Sequence, residues 1–231
     1  MDAHQRYGHW RIRLVLQRQG ITISRKLTAK LMREEGLVCK VRAKKRYNSY
    51  RGTLSTIAPN VLRCDFGASG PNRQWVSDVS EFRVNHQKIY LSPVIDLYDH
   101  SVVAFSISSS PNLELLTSSL EQAFTRARPD PGLVVHTDQG FQYQHRAWKK
   151  ILAVNGAEQS MSRKGNCYDN AMAENFFGHL KAELFYQRSF TSCEELATEI
   201  RSYINWYNTI RIQERLKGMT PNQYRNHALA A

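Results

Sequence analysis

Short apolar or alternating segments dominate the chain from residue 73 onward, and they set the strongest limit on its fold. Trp75–Val79, Phe82–Val84, Ile89–Ile95 and Val102–Ile107 read as strands. Asp99-His100 supplies the turn of a hairpin between the last two. Leu113, Leu116, Leu120 and Phe124 have helical spacing within residues 112–127. Leu133–Thr137 is another strand, introduced by Pro131-Gly132. A helix over 142–155, a short strand at Ala157–Met161, and helices over about 170–186 and 192–208 follow. A strand meander followed by β-α alternation predicts an α/β domain with a mixed sheet flanked by helices. That order fits a ribonuclease-H-like fold.

The first 60 residues differ in texture. They hold 14 of the 32 Lys and Arg residues and 3 of the 20 acidic ones, so they carry +11 of the net +12 charge. A basic arm ahead of a near-neutral domain is a layout suited to a polyanion partner. Within it, Ile12, Val15 and Leu16 mark one helix, Gly20 interrupts, and Ser24 is placed to cap a second helix. Leu27, Leu31 and Met32 form the expected apolar stripe of that second helix, and Gly36 ends it. Helix, turn, helix is the outline of a DNA-binding helix-turn-helix. Arg25, Lys26, Lys30 and Arg33 would decorate its second helix. Lys44, Lys45 and Arg46, interleaved with Tyr47 and Tyr50, suit a linker that follows a phosphate backbone. The division expected is residues 1–37 as a helix-turn-helix-like region, 38–70 as a basic linker and 71–231 as the catalytic domain.

Composition excludes several classes. Apolar residues at 42% against 23% charged argue against a wholly disordered chain. No apolar run is long enough for a membrane span, and Met1–Trp10 lacks the apolar core of a secretory leader. Cys39, Cys64, Cys167 and Cys193 form no CxxC pair. They read as free thiols of a reducing compartment.

Three carboxylates sit where chemistry would need them. Asp78 ends the first strand, Asp138 ends the strand in VVHTDQG, and Glu174 lies about one turn into the helix of DNAMAENFFGHLKAE, which Asp169 is placed to cap. Sites in open α/β sheets gather at the carboxyl ends of strands, so neighbouring strands would bring the aspartates together. Taken singly, such residues ordinarily serve as turns, caps or solvated positions, as Asp96 and Asp99 are expected to do. Glu81 falls on the opposite face from Asp78. Converging carboxylates need compensating charge, and hard cations such as Mg²⁺ prefer oxygen ligands. Two ions together can serve in-line phosphoryl displacement.

The spacing makes the pattern specific: 59 residues separate Asp78 from Asp138, and 35 separate Asp138 from Glu174. With WVSDVSEF, VIDLYDHSVVAFSIS, HTDQGFQY, MSRKGNCYDNAMAENFFGHLKAE and INWYNTIRIQERLKGMTP, the chain resembles the orfB-type DDE transposases of the bacterial insertion-sequence-three family, across roughly residues 7–225. That family's core is similar to retroviral integrase. The resemblance implies Asp78, Asp138 and Glu174 as catalytic and metal-binding residues, with two Mg²⁺ ions per site and Mn²⁺ as a substitute. It also implies Lys181, seven positions after Glu174, as a DNA contact on the same helix face. Gln139, Gly140, Tyr143 and Asn170 belong to the motif as residues that shape the site, and His136 as a structural one. The implied partners are double-stranded DNA at element ends and target, further copies of the chain, and an upstream-frame helix-turn-helix partner or fusion. The implied place is the bacterial cytoplasm, at the nucleoid. Other nucleases of this fold, or a DNA-binding remnant without catalysis, are the competing readings.

Overall fold

The structure, a computed structural model, describes residues 6–39, 57–62, 67–162 and 171–230. The expectations for Lys44, Lys45, Arg46, Asp169 and Asn170 lie outside the described residues. Two N-terminal helices, α1 (His9–Arg18) and α2 (Arg25–Glu34), precede strands β1 (Gln74–Ser77), β2 (Ser80–Val84), β3 (Gln87–Asp96) and β4 (Val102–Ser108). Helix α3 (Leu113–Ala127), β5 (Val134–Thr137), α4 (Arg146–Val154) and β6 (Glu158–Met161) alternate next. Helices α5 (Ala171–Leu180), α6 (Cys193–Thr209) and α7 (Pro221–Leu229) complete the chain.

β3 organises the sheet. One of its edges pairs with β4, and the other is shared by β1 and β2, all antiparallel. The pairs Trp75 with Asp96 and Phe82 with Ile89 belong to a single register, so β1 and β2 form one line broken at Asp78-Val79. Extending that register sets Asp78 opposite Pro93. Proline has no N–H to give a ladder, which explains why pairing stops there. β5 lies parallel to β1 on its other side, and β6 lies parallel to β5. Successive side chains of a strand point to opposite faces. Val76 accordingly packs under Phe176, Leu180 and Ile200 of α5 and α6, while Trp75 packs with Leu116, Leu120 and Trp148 of α3 and α4. The expected mixed sheet flanked by helices is present.

Several boundaries differ from the sequence reading. Residues 141–145 are turns, and α4 begins at Arg146, where His145 Nδ1 accepts from Ala147 N. The helix expected to 186 is α-helical only to Leu180 and continues as a π-helical turn, Lys181–Phe185. The unforeseen α7 carries a full capping box between Thr220 and Gln223, with Pro221 in its first turn. In α2, Ser24 caps as expected by accepting from Leu27 N, and Gly36 holds a positive φ. The expected apolar stripe is corrected, since Leu27 and Leu31 are exposed and Thr28 is the buried residue. Asp96 and Asp99 are also not solvated turn residues. Both are fully buried, and Arg225 of α7 binds Asp99 through Nε at 2.5 Å and Asp96 through Nη2 at 2.6 Å.

The N-terminal helices dock on the sheet-and-helix part that follows. Tyr7 and Val15 pack with Ile212 and Trp206, and Tyr7 Oη accepts from Ile212 N at 3.2 Å. Buried Glu183, in the π-helical turn, ties the two parts together. It receives Arg211 Nε at 2.9 Å and Nη2 at 2.7 Å, Tyr203 Oη at 2.8 Å, and Arg11 at 3.5 Å. Burial alone would push the Glu183 carboxyl up, but Arg211 holds it below its ordinary value. Glu183→Gln leaves Arg211 buried against a neutral partner, so unfolding by urea should show a loss of about 3–5 kcal/mol. A loss under about 1 kcal/mol would mean that the pair is not structural.

His100, beside Asp99, is buried and faces Arg215. Burial first, and Arg215 second, lower its pKa to about 4. It is therefore neutral in the fold, and the unfolded chain takes up a proton from about pH 6.5 downward. This stability is present above pH 6.5 and lost as pH falls toward 4, whereas Asp96, pushed up to about 6 mainly by burial, acts in the opposite direction. His100→Gln should lose about 2–3 kcal/mol less than the parent between pH 7 and 4.5 in urea titrations.

Candidate active site

The register of β1 and β5 builds the site. Val76 pairs with His136, so two residues further on Asp78 and Asp138 leave adjacent parallel strands side by side. Each carboxylate is oriented locally: Asp78 Oδ1 accepts from Val79 N at 2.7 Å, and Asp138 Oδ1 accepts from Gly140 N at 2.8 Å. Burial pushes the Asp138 carboxyl up, and the Gly140 N–H offsets part of that. The phenol of Tyr143 reports on both groups. It is buried, lies 3.5 Å from Ser77 Oγ, and its pKa is raised by burial, then by Asp78, then by Asp138.

Glutamine amides brace the turn that carries Asp138. Gln139 Nε2 donates to Ser162 O at 2.9 Å, Gln144 Nε2 to Gln139 O at 2.6 Å, and Gln159 Nε2 to Tyr143 O at 2.7 Å. Gly140 is required by close approach, since a Cβ there would lie 2.9 Å from Asp138 Oδ1 and 3.3 Å from Tyr143 Cδ2. His136 is fully buried, with Nδ1 2.8 Å from Ser160 Oγ, and Ser160 Oγ accepts from Val61 N at 3.0 Å. It fastens β5, β6 and the residue 57–62 segment together, the structural part expected of it.

Glu174 lies in the first turn of α5, half-buried, on a helix anchored by Ala173, Phe176 and Phe177. Among the described residues, no group of three or more His, Cys, Asp or Glu side chains gathers closely enough to hold a metal ion. The strand register sets the two aspartates side by side, and Glu174 is not gathered with them into such a group. Lys181 begins the π-helical turn, with Nζ 5.1 Å from the centre of the Phe82 ring. In the arm, Arg25 lies 3.7 Å over the Trp10 ring and donates to His9 Nε2, whereas Lys26 and Lys30 face outward, with Lys30 3.7 Å from Glu34. Phe141, in the turn directly after Gly140, is 68% exposed.

Strand order, helices on both faces and paired aspartates at parallel strand ends define an integrase-type catalytic core. The chain matches the integrase core domain over residues 68–167, a second integrase core domain family over 174–229, and an HTH-like domain over 1–45. It is 48% identical over 221 residues to the putative transposase InsK for insertion sequence element IS150 of Escherichia coli K12, covering 96% of this chain and 78% of that protein. It is 36% identical over 229 residues to transposase InsF for insertion sequence IS3A of the same organism, covering 99% and 80%. Among solved structures it resembles the HTLV-2 integrase catalytic core domain in complex with magnesium, at TM-score 0.54 and 17% identity over 68% of this chain and 98% of that one. It also resembles the simian T-cell lymphotropic virus intasome in complex with the PP2A regulatory subunit B56 gamma, at TM-score 0.60 and 16% identity over 92% and 70%. The chain belongs to the insertion-sequence-three family of transposases and functions in insertion-sequence transposition.

Gly140→Ala should displace the Asp138 carboxylate without opening the core. Transposition frequency should fall on the order of 100-fold while the thermal midpoint stays within about 4 °C. Unchanged transposition would show that the close approach is not needed.

Proposed function

We propose that this transposase cuts and rejoins DNA at the Asp78–Asp138 edge of the sheet, with Glu174 as the third carboxylate. The observation that carries this reading is the register of β1 and β5, which sets two half-buried carboxylates side by side. Adjacent, partly desolvated carboxylates without a cation are costly, so the site suits a hard divalent ion. Its donor set is entirely oxygen, which fits Mg²⁺ and accepts Mn²⁺. Asp78, Asp138 and Glu174 would hold one ion or two, which supply charge neutralisation and activation of the attacking oxygen. The HTLV-2 core of the same fold was solved with magnesium.

The chain's residues hold the reacting phosphate and its neighbours in place. In cleavage, the oxygen of water bonds to phosphorus and the bond to the 3′ oxygen breaks, freeing a 3′ hydroxyl. In strand transfer, that 3′ oxygen bonds to a target phosphorus and displaces the target's own 3′ oxygen. Lys181, seven positions after Glu174, would neutralise a phosphate next to the site. Lys26, Lys30 and Arg33 present outward charge for an element end, and Lys44, Lys45 and Arg46 add backbone contacts. Arg25 shapes that surface through Trp10. Phosphate contacts of this kind position DNA, and base contacts specify it. Action on paired ends implies more than one copy of the chain and leaves room for an upstream-frame helix-turn-helix partner.

Asp78→Asn, Asp138→Asn and Glu174→Gln should each lower Mg²⁺-dependent cleavage and strand transfer by at least about 1,000-fold while duplex binding stays within about threefold. A variant retaining near-parent activity would remove that residue from the site. Intact binding by a parent chain that neither cleaves nor joins would favour a DNA-binding remnant.

A further inference from the structure

A cavity of about 420 Å³ lies at the end of the sheet opposite the carboxylates. Arg73 immediately precedes β1 and Asp78 immediately follows it, so five residue steps, roughly 16 Å, separate the two ends. The cavity is lined by Arg73, Arg128 and Arg225, with Asn72, Pro129 and Asp130. Arg225 forms a fixed wall. Its Nε and Nη2 are committed to Asp99 and Asp96, and its Nη1 donates to Asn72 Oδ1 at 3.4 Å. Those two buried aspartates more than balance its charge, so the charge open to a ligand comes from Arg73 and Arg128.

Both of these arginines stand on rigid backbone. Arg73 O accepts from Val134 N at 3.0 Å, which ties it to β5. Arg128 N donates to Phe124 O at 3.0 Å, and the residue holds the left-handed conformation, φ 46°, at the end of α3. Glycine is usual at such a helix end. Pro129 contributes by disfavouring the right-handed helical region for the residue before it. Asn72, which follows Pro71, is also left-handed, with φ 57°. Proline-stiffened turns thus form two walls of the cavity. The Arg128 guanidinium has no partner among the described residues. Arg73 pairs with Asp130 at 3.7 Å, but both side chains are more than half exposed. A surface pair of that kind is weak and readily exchanged. Guanidiniums on a fixed scaffold match the geometry of a phosphate group.

The geometry points to a phosphate-binding site between Arg73 and Arg128, separate from the catalytic edge and serving either a DNA backbone phosphate or a free phosphate-bearing molecule. The incoming phosphate displaces Asp130 from Arg73 and accepts from both guanidiniums. It rests on no assignment of the catalytic carboxylates.

Inorganic phosphate should be titrated into the full ¹⁵N-labelled chain at constant ionic strength, following the amides of residues 69, 70, 72, 73, 128 and 130. Saturable shifts there are expected, with apparent affinity about tenfold weaker in Arg128→Gln and in Arg73→Gln. Arg126→Gln, an exposed arginine of the same helix outside the cavity, should leave the titration unchanged. Because Arg73 and Arg128 are exposed, the rest of each variant's amide spectrum should match the parent. Absent or non-saturating shifts at these residues, or parent affinity retained in either cavity variant, would overturn the site. Duplex DNA then separates the two sources. A log K against log salt slope reduced by about 0.9 in Arg128→Gln identifies a backbone phosphate. An unchanged slope with the inorganic phosphate effect intact identifies a free phosphate-bearing ligand.

Discussion

The buried ion pair between Glu183 and Arg211 is the contact on which the relation between the two halves of the molecule depends. Arg211 is 1% exposed and Glu183 7%. The pair joins the end of the α5 helix to the segment that follows α6. The same carboxylate receives Tyr203 from within α6 and Arg11 from α1, and the Glu183 carbonyl accepts from Arg6 Nε at 3.0 Å. Desolvating two charges is costly, and the attraction compensates only when the remaining lone pairs and protons are also satisfied. Here two guanidinium bonds and a phenol do so. The π-helical turn fits this role. Its wider winding shifts the helix surface within one turn, and Ala182, Glu183 and Leu184 are buried in succession.

At the other end of α5, the active edge follows from strand chemistry. β1 and β2 would form one uninterrupted strand against β3 if Pro93 did not lie opposite Asp78. The break releases Asp78 at the point where β5 releases Asp138. Two strand ends, one missing N–H and one glycine without a Cβ are sufficient to place two acidic groups over Tyr143. Glu174 comes from a helix anchored on the opposite side of the sheet, so its position is set by the α5 packing that Glu183 secures and not by the strand register.

This division accounts for what the sequence discloses. Strand alternation and helical spacing mark nearly every element, and Asp78 and Asp138 stand out because strand ends and their separation are visible in one dimension. Glu183 and Arg225 do not stand out. Each resembles an ordinary surface charge until the fold buries it against partners 28 and 126 positions away, Arg211 and Asp99. Apolar spacing in α2 misleads for a related reason. Leu27 and Leu31 repeat correctly for a helix, but α1 packs on the Thr28 side, and periodicity does not say which neighbour a helix will meet. The α7 signal, Thr220-Pro221 with Gln223, was legible by capping chemistry and lacks only an apolar stripe to draw attention to it.

The docked arm also changes what its charge means. Arg6 lies 4.5 Å over the Trp206 ring, Arg11 faces Glu183, Arg13 Nε donates to Ile23 O, Arg18 reaches Gln223, and Arg25 covers Trp10. Flat, weakly hydrated guanidiniums suit such stacking, whereas an ammonium group holds its water. In the described part of the arm, these five arginines act as adhesive between helices, and Lys26, Lys30 and Arg33 stay in solvent. Over the described residues 6–39, a charge count read from the sequence therefore overstates the electrostatic reach of the arm, because five of its eight cations are already in contact with the protein itself.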